Sequence, residues 1–458
     1  MTIATIDPTT GELVREFAHH TAADVERILS TAEAANALMA RTTFAQRAEW
    51  MRRAADLLDA ELEHAAGLAV REMGKTIATA KYEVTKSANG MRWYADHAEA
   101  YLAAEEPVPA ASVGASSARV VFQPLGTVLA VMPWNYPFWQ VIRFAAPALM
   151  AGNTGLLKHA SSVPQTALYL GELFLRAGFP DGAFQTLLLE GAAASALLDD
   201  RRIRAVTLTG SVGAGSAVAA AAGRNIKKSV LELGGTDAFV VMPSADVARS
   251  ARFAALSRTQ NSGQSCICAK RFFVHADVYD QWLDAFIAEM GEISTGDPMV
   301  DGTGFGPMAT AQVRADAHEL VDDAVAKGVT VRLGGVLPEG PGWFYPATVL
   351  TEVTPEMRIF REECFGPVAC VYRVASIDEA IERANDSDFG LAAGVWSADP
   401  DEIDRLQTEL DFGSVFANGN SASFFGLPFG GVKDSGYGRE LGSFGIREFV
   451  NAKTVWTA

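Results

Sequence analysis

Along the chain, apolar positions first recur at helical spacing and later gather into short runs. The alanine-rich stretch from Thr21 to about Ala40 reads as a helix, with Thr21 and Asp24 spaced as an N-terminal capping pair. A longer helical pattern runs from about Phe44 to Thr76. Val120–Pro133, rich in Val and Leu, reads as extended. Beyond it, strands and helices alternate. Ala205–Leu208 is a short apolar strand, and Ala238–Val241 is another, followed by a helix capped near Ser244. Pro367–Val374 leads into a helix starting at Ser376. Leu391–Trp396 leads into one from Asp399 to Leu410, with Asp399 as cap and Pro400 at the first helical position. Phe449–Trp456 reads as a terminal strand and Ser112–Phe122 as a further one, a pair able to add to a neighbouring subunit. This alternation predicts an α/β protein of parallel sheets covered by helices.

A length of 458 residues suggests about two or three domains. With 49% hydrophobic and 20% charged residues, the chain can bury a sizeable core. A net charge of −17 argues against nucleic acid or an anionic membrane as partner, and an anionic substrate would need local positive charge. Met1–Asp7 shows no basic start followed by an apolar run, so no signal peptide is expected. The most apolar stretch, Phe144–Leu157, is broken by Pro147, Gly152 and Asn153 and falls short of the roughly 20 residues that cross a bilayer. Four cysteines in so long a chain make no disulfide framework, which points to a reducing cytoplasm. Seven scattered histidines without HxxxH or CxxC spacing give no metal site.

Four segments carry candidate chemistry. Gly263-Gln264-Ser265-Cys266-Ile267-Cys268 lies between a polar stretch and a strand at Arg271–Val274. A cysteine at such a junction can be a nucleophile if a base or a positive field supports its thiolate; on residue type alone, a buried core cysteine is the commoner case. In Leu231-Glu232-Leu233-Gly234-Gly235, an acid among apolar residues at a strand end can have a raised pKa and act as general base. Its ordinary alternative is a capping or salt-bridged glutamate. Pro133-Trp134-Asn135-Tyr136-Pro137 is a proline-fixed turn that presents an amide able to donate to an oxyanion. Thr209-Gly210-Ser211 follows a strand and opens a helix containing Gly213 and Gly215, a placement suited to phosphate without the GxGxxG fingerprint.

In this order and spacing, these segments resemble the aldehyde dehydrogenase superfamily. The resemblance spans nearly the whole chain. It adds Pro124-Leu125-Gly126, Pro147-Ala148-Leu149, Glu362-Glu363-Cys364-Phe365-Gly366-Pro367, and Pro428-Phe429-Gly430-Gly431-Val432-Lys433 with Ser435-Gly436. Within the superfamily the sequence is most like bacterial NADP-dependent succinate-semialdehyde dehydrogenases. That likeness is carried by Trp134–Pro147, Lys158-His159-Ala160-Ser161 and the ending Asn451–Trp456.

The resemblance implies two parallel-sheet domains with helices on both faces and a small β oligomerisation flap. Residues 1–111 and 127–234 would form the cofactor-binding domain, 235–427 the catalytic domain, and 112–126 with 445–458 the flap of a homodimer or homotetramer. It implies Cys266 as nucleophile, Glu232 as general base, and Asn135 with the Cys266 N–H as oxyanion hole. Attack on the aldehyde, loss of hydride to nicotinamide and hydrolysis of the thioester would follow. Trp134, Lys158, Ser161, Gly210, Ser211, Gly215, Glu363 and Phe365 would bind the cofactor. Many relatives carry an acid at position 161, where it holds the ribose 2′-hydroxyl; Ser161 beside Lys158 implies a preference for NADP, with NAD also possible. Arg143 and Ser423 would hold a substrate carboxylate. The Arg found six residues before the nucleophile in many of these enzymes is Gln260 here, which leaves an uncharged aldehyde as alternative substrate. Two rivals stand beside this reading: a CoA-acylating enzyme, against which Glu232 argues, and an inactive binding or structural member of the fold. Cys268 would be apolar filler, or the partner of Cys266 in a reversible disulfide.

Overall fold

The structure is a computed structural model, and it describes residues 2–458. The chain opens with a hairpin, β1 (Ile3–Ile6) and β2 (Leu13–Phe17). Thr21 caps α1 (Ala22–Met39) reciprocally with Asp24, as its sequence predicts. The helical pattern from Phe44 divides at Glu61 into α2 (Phe44–Ala60) and α3 (Leu62–Met73). Glu61 leaves helical geometry at φ −104°, ψ 20°, and its carboxylate is held by Arg176 and Tyr169. A further long helix, α4 (Ile77–Tyr101), has no counterpart in the sequence reading.

The extended stretch Val120–Pro133 turns a corner at Gly126, whose φ of 122° only glycine adopts readily. It therefore becomes two strands in different sheets, β3 (Ser117–Pro124) and β4 (Thr127–Met132). Alternation follows: α5 (Trp139–Met150), β5 (Thr154–His159), α6 (Pro164–Arg176), β6 (Phe184–Thr186), α7 (Gly191–Ala196), β7 (Ile203–Thr209), α8 (Val212–Arg224) and β8 (Lys228–Glu232). The second half holds β9 (Ala238–Val241), α9 (Val247–Thr259), β10 (Arg271–His275), α10 (Tyr279–Glu292), α11 (Ala311–Ala326), β11 (Thr330–Leu333), β12 (Thr348–Thr351) and β13 (Val368–Val374). The chain ends with α12 (Ile377–Asn385), β14 (Phe389–Gly390), β15 (Ala392–Trp396), α13 (Pro400–Glu409), β16 (Ser414–Ala417), β17 (Val432–Lys433), β18 (Gly436–Tyr437), α14 (Gly442–Arg447) and β19 (Val450–Thr457).

Two sheets dominate. The first has the order β18-β8-β7-β4-β5-β6, parallel except for β18. Because side chains alternate along a strand, Val128 and Ala130 of β4 join α2, α4, α5 and α6 in one core, while Leu129 joins α1 and α8 in another. The second sheet has the order β11-β12-β13-β10-β9-β15-β16, parallel except for β11. Ala238 and Val240 of β9 pack with α11, α12 and α13, and Phe239 and Val241 with α9 and α10. Helices thus cover both faces of both sheets, the α/β architecture that the alternation predicts.

Two expectations need correction. The helix after β9 is capped by Asp246, which accepts the Arg249 N–H, and not by Ser244. Ser244 Oγ instead meets Ser397 Oγ at 2.8 Å and accepts the Ala398 N–H. The strand expected from Ser112 begins at Ser117, because Ala110–Val113 closes into a 3-10 turn. That strand, β3, pairs antiparallel with β19 through eight residues, from Ser117 with Thr457 to Pro124 with Val450. No helix among the described residues is long and apolar enough to cross a membrane.

Candidate active site

The first sheet winds outward from β4 to β5 and β6, then returns to lay β7 and β8 on the other side of β4. In such sheets ligands sit over the C-terminal strand ends where the winding reverses. Here that point gathers the turn after β4, with Pro133, Trp134 and Asn135, and the turn after β7, with Gly210 and Ser211. A cleft over it is lined by Trp134, Gly210, Ser211, Cys266, Glu363 and Phe365. Trp134 and Phe365 meet edge to face at 5.7 Å. Ser211 caps α8, whose N-terminus opens on the cleft. Thr209 Oγ1 is buried there without a hydrogen-bond partner, while Glu363 Oε1 faces Lys270 Nζ at 3.1 Å.

Three expected cofactor residues are not part of this lining. Lys158 and Ser161 stand at and just beyond the end of β5, beside the cleft rather than in its lining. Lys158 is buried, and no carboxylate among the described residues lies within ion-pair distance of it. Gly215 is outside that lining as well. It faces β8, where a Cβ would come within 2.6 Å of the Leu233 side chain, so its smallness serves helix–sheet packing.

The loop from α9 to β10 carries Cys266. Asn261, Ser262 and Gly263 all have positive φ, 54°, 59° and 73°. At Gly263 a Cβ would sit 2.3 Å from the Gly366 carbonyl carbon, so no other residue fits. This unusual path is pinned from several sides. Fully buried Arg258 donates to the carbonyls of Gly263 at 2.6 Å and Ala269 at 3.1 Å, which removes it as a substrate ligand. Lys270 Nζ donates to the carbonyls of Ser265 and Cys266, at 3.1 and 2.9 Å, and pairs with Glu363 at 3.1 Å. Asn135 Nδ2 donates to the Gln264 carbonyl at 3.1 Å, which ties the β4 turn to this loop. Cys268 is fully buried, its Sγ 2.8 Å from the Ser265 carbonyl. The sequence signals Lys270 only as a lysine placed where a buried strand begins.

The thiol of Cys266 opens on two cavities, the cleft and a second one beneath α4 and α5. Burial pushes its pKa up to about 12, opposed by Arg143 and Lys270. Glu232 ends β8, buried, with neither carboxyl oxygen hydrogen-bonded. Burial and then Glu440 raise it well above the ordinary carboxylate range, opposed by Arg143 and Arg439. The second cavity is lined by Arg143, Lys86, Gln260 and Ser423. Arg143 is paired with Glu440 and lies 4.5 Å over the Phe429 ring. Ser423 Oγ accepts from Lys86 Nζ at 2.9 Å and Trp139 Nε1 at 3.0 Å.

Residues 1–455 match the model of the family described as "Aldehyde dehydrogenase family". The chain belongs to the aldehyde dehydrogenase family. An aldehyde dehydrogenase of Paenarthrobacter nicotinovorans is 62% identical over 458 residues, all of both chains. A protein of Mycobacterium tuberculosis (strain ATCC 25618 / H37Rv), named succinate-semialdehyde dehydrogenase [NADP(+)] 1, is 54% identical, again over all of both chains. The succinic semialdehyde dehydrogenase of Streptococcus pyogenes, solved with NADP+, superposes with a TM-score of 0.96 at 33% identity and covers 99% of each chain. In this aldehyde dehydrogenase the two cavities share the Cys266 side chain, so groups held in each would meet at the sulfur.

Proposed function

We propose that this aldehyde dehydrogenase oxidises succinate semialdehyde to succinate, with NADP preferred over NAD, as a homodimer or homotetramer in the cytoplasm. The observation that carries the substrate is the pairing of cations, Arg143 and Lys86, with the Ser423 hydroxyl in the cavity at Cys266 of a chain whose net charge is −17. Such a cavity favours an aldehyde with a distal carboxylate over a neutral one. The names of the mycobacterial and streptococcal relatives agree with it.

Cys266 Sγ adds to the aldehyde carbon. Asn135 keeps one amide N–H on Gln264, and its second remains to donate to the developing oxyanion. Glu232 takes the proton of the water that cleaves the acyl-cysteine, and burial, which raises its pKa, makes the carboxylate a stronger proton acceptor. Trp134, Gly210, Ser211, Glu363 and Phe365 fit a dinucleotide in the cleft, and the bound dinucleotide supplies the hydride acceptor. Lys158, buried without an anionic partner, and Ser161, which adds no acid beside it, favour a ribose 2′-phosphate. In this reading the first sheet belongs to the cofactor domain of residues 1–111 and 127–234, the second to the catalytic domain of 235–427, and the β3–β19 ribbon to the flap.

Gln260 in the cavity lining supports a second reading, a broad enzyme for uncharged aldehydes. Initial rates with succinate semialdehyde and butanal, each with NADP and NAD, separate the two. A kcat/KM at least tenfold higher for succinate semialdehyde with NADP is expected. Equal or better rates with butanal overturn the substrate assignment.

A further inference from the structure

The two cations of the substrate cavity are not equivalent. Arg143 already faces a carboxylate: its Nε is paired with Glu440, both side chains are buried, and its Nη2 has no hydrogen-bond partner. Lys86 is different. No carboxylate among the described residues lies within ion-pair distance of it, and its neighbours are the Ser423 hydroxyl and the Trp139 ring, whose centroid is 4.6 Å from Nζ. Glu83, a turn earlier on α4, is committed to Lys75 and to the backbone N–H groups of Phe138 and Trp139, at 2.8 and 2.9 Å. Thr79, Tyr82, Glu83 and Lys86 recur at i, i+3, i+4 and i+7, so one face of α4 lines the cavity and presents the ammonium to it.

Ser423 completes the arrangement. Its oxygen accepts from Lys86 Nζ and Trp139 Nε1, which occupies both lone pairs and leaves its own O–H to donate into the cavity. An ammonium and a hydroxyl donor, adjacent and aimed at one point, make a receptor for a carboxylate.

We infer that Lys86, beside Arg143, holds the distal carboxylate of the substrate, with the Ser423 hydroxyl as a further donor. This rests on the proposed preference for an anionic aldehyde and names the residue responsible. Burial and the positive Arg143 pull the Lys86 ammonium down to about 8, with Glu83 opposing, so a bound anion would supply the counter-charge that Lys86 lacks. Arg143, by contrast, has the Glu440 carboxylate as a partner whether or not substrate is bound.

The test is the ratio of kcat/KM for succinate semialdehyde to that for butanal, with NADP, in wild type, Lys86→Met and Lys86→Arg. Lys86→Met should lower the ratio by roughly 10- to 100-fold, mainly through the KM of the charged aldehyde, and Lys86→Arg should restore much of it. The Kd of succinate, followed by tryptophan fluorescence, should weaken in the same order. If Lys86→Met does not fold by circular dichroism, Lys86→Gln takes its place with the same expectation. A high wild-type ratio that persists without the ammonium overturns the role of Lys86 alone. A wild-type ratio at or below one overturns the anionic-substrate reading and this inference with it.

Discussion

At Cys266 the half-buried thiol has a raised pKa, yet the peptide groups around it are gripped by cations: Lys270 on the Ser265 and Cys266 carbonyls, Arg258 on that of Gly263. The protein fixes where the sulfur sits and leaves its ionisation to what binds beside it. Cys266→Ser should therefore fold normally and lose aldehyde oxidation by at least roughly 1,000-fold, read as initial rate of cofactor reduction. Glu232→Gln should keep a first-turnover burst while the steady-state rate falls by roughly 100-fold or more in stopped flow. Loss of burst and steady state together would place Glu232 ahead of the acyl-cysteine. At Ser161 the issue is charge. Ser161→Glu puts an acid beside Lys158 and should move the NADP-to-NAD ratio of kcat/KM toward NAD by at least roughly tenfold. An unchanged ratio would remove this pair from 2′-phosphate recognition.

Strand ends are held as carefully as side chains. His159 closes β5, buried; its Nδ1 accepts the Ala160 N–H at 3.0 Å and its Nε2 faces the Pro137 carbonyl at 3.0 Å, bracing β5 against the turn that carries Asn135. Burial, outweighing the carbonyls of Pro137 and Met132, pulls its pKa to about 4. Between about 6.5 and 4 the unfolded chain binds a proton that the native protein refuses, so stability falls as pH drops through that window. Urea unfolding at pH 7 and pH 5 should show His159 contributing about 2 kcal/mol to the loss, and His159→Gln should have a correspondingly flatter profile. Equal slopes would mean that His159 is charged in the native state. Elements with a local signature were legible in the sequence: caps at Thr21, Ser376 and Asp399, and apolar runs at β7, β9 and β13. Helix α4 was not. Its buried Glu83 answers Lys75 across the connection from α3, and Lys86 answers a serine 337 residues away, so polar positions that look solvent-facing are interior. The motifs at Cys266, Glu232 and Asn135 were legible. Lys270 and Lys86 were not, because their partners are backbone carbonyls and a distant hydroxyl that no spacing announces.

For the molecule as a whole, the β3–β19 ribbon stands apart from both large sheets and exposes half of Trp456. An open ribbon of this kind presents unpaired backbone groups on its outer edges. If it is the proposed oligomerisation flap, Val455→Pro should break the ladder opposite Arg119 and shift the mass measured by light scattering from dimer or tetramer toward monomer. An unchanged mass would place the interface elsewhere.

Strand β18 joins the first sheet at the edge beside β8, although it lies some 200 residues further along the chain, pairing Gly436 with Glu232. Glu440, which Arg143 needs, follows it. On the ribosome, the first sheet therefore waits with an open edge and a buried-to-be arginine without its counter-charge while the whole second sheet is being made. Catalytic competence should arrive abruptly, once Gly436–Glu440 have left the exit tunnel, and chains that stall before Gly436 should depend on chaperones rather than linger as half-active enzyme.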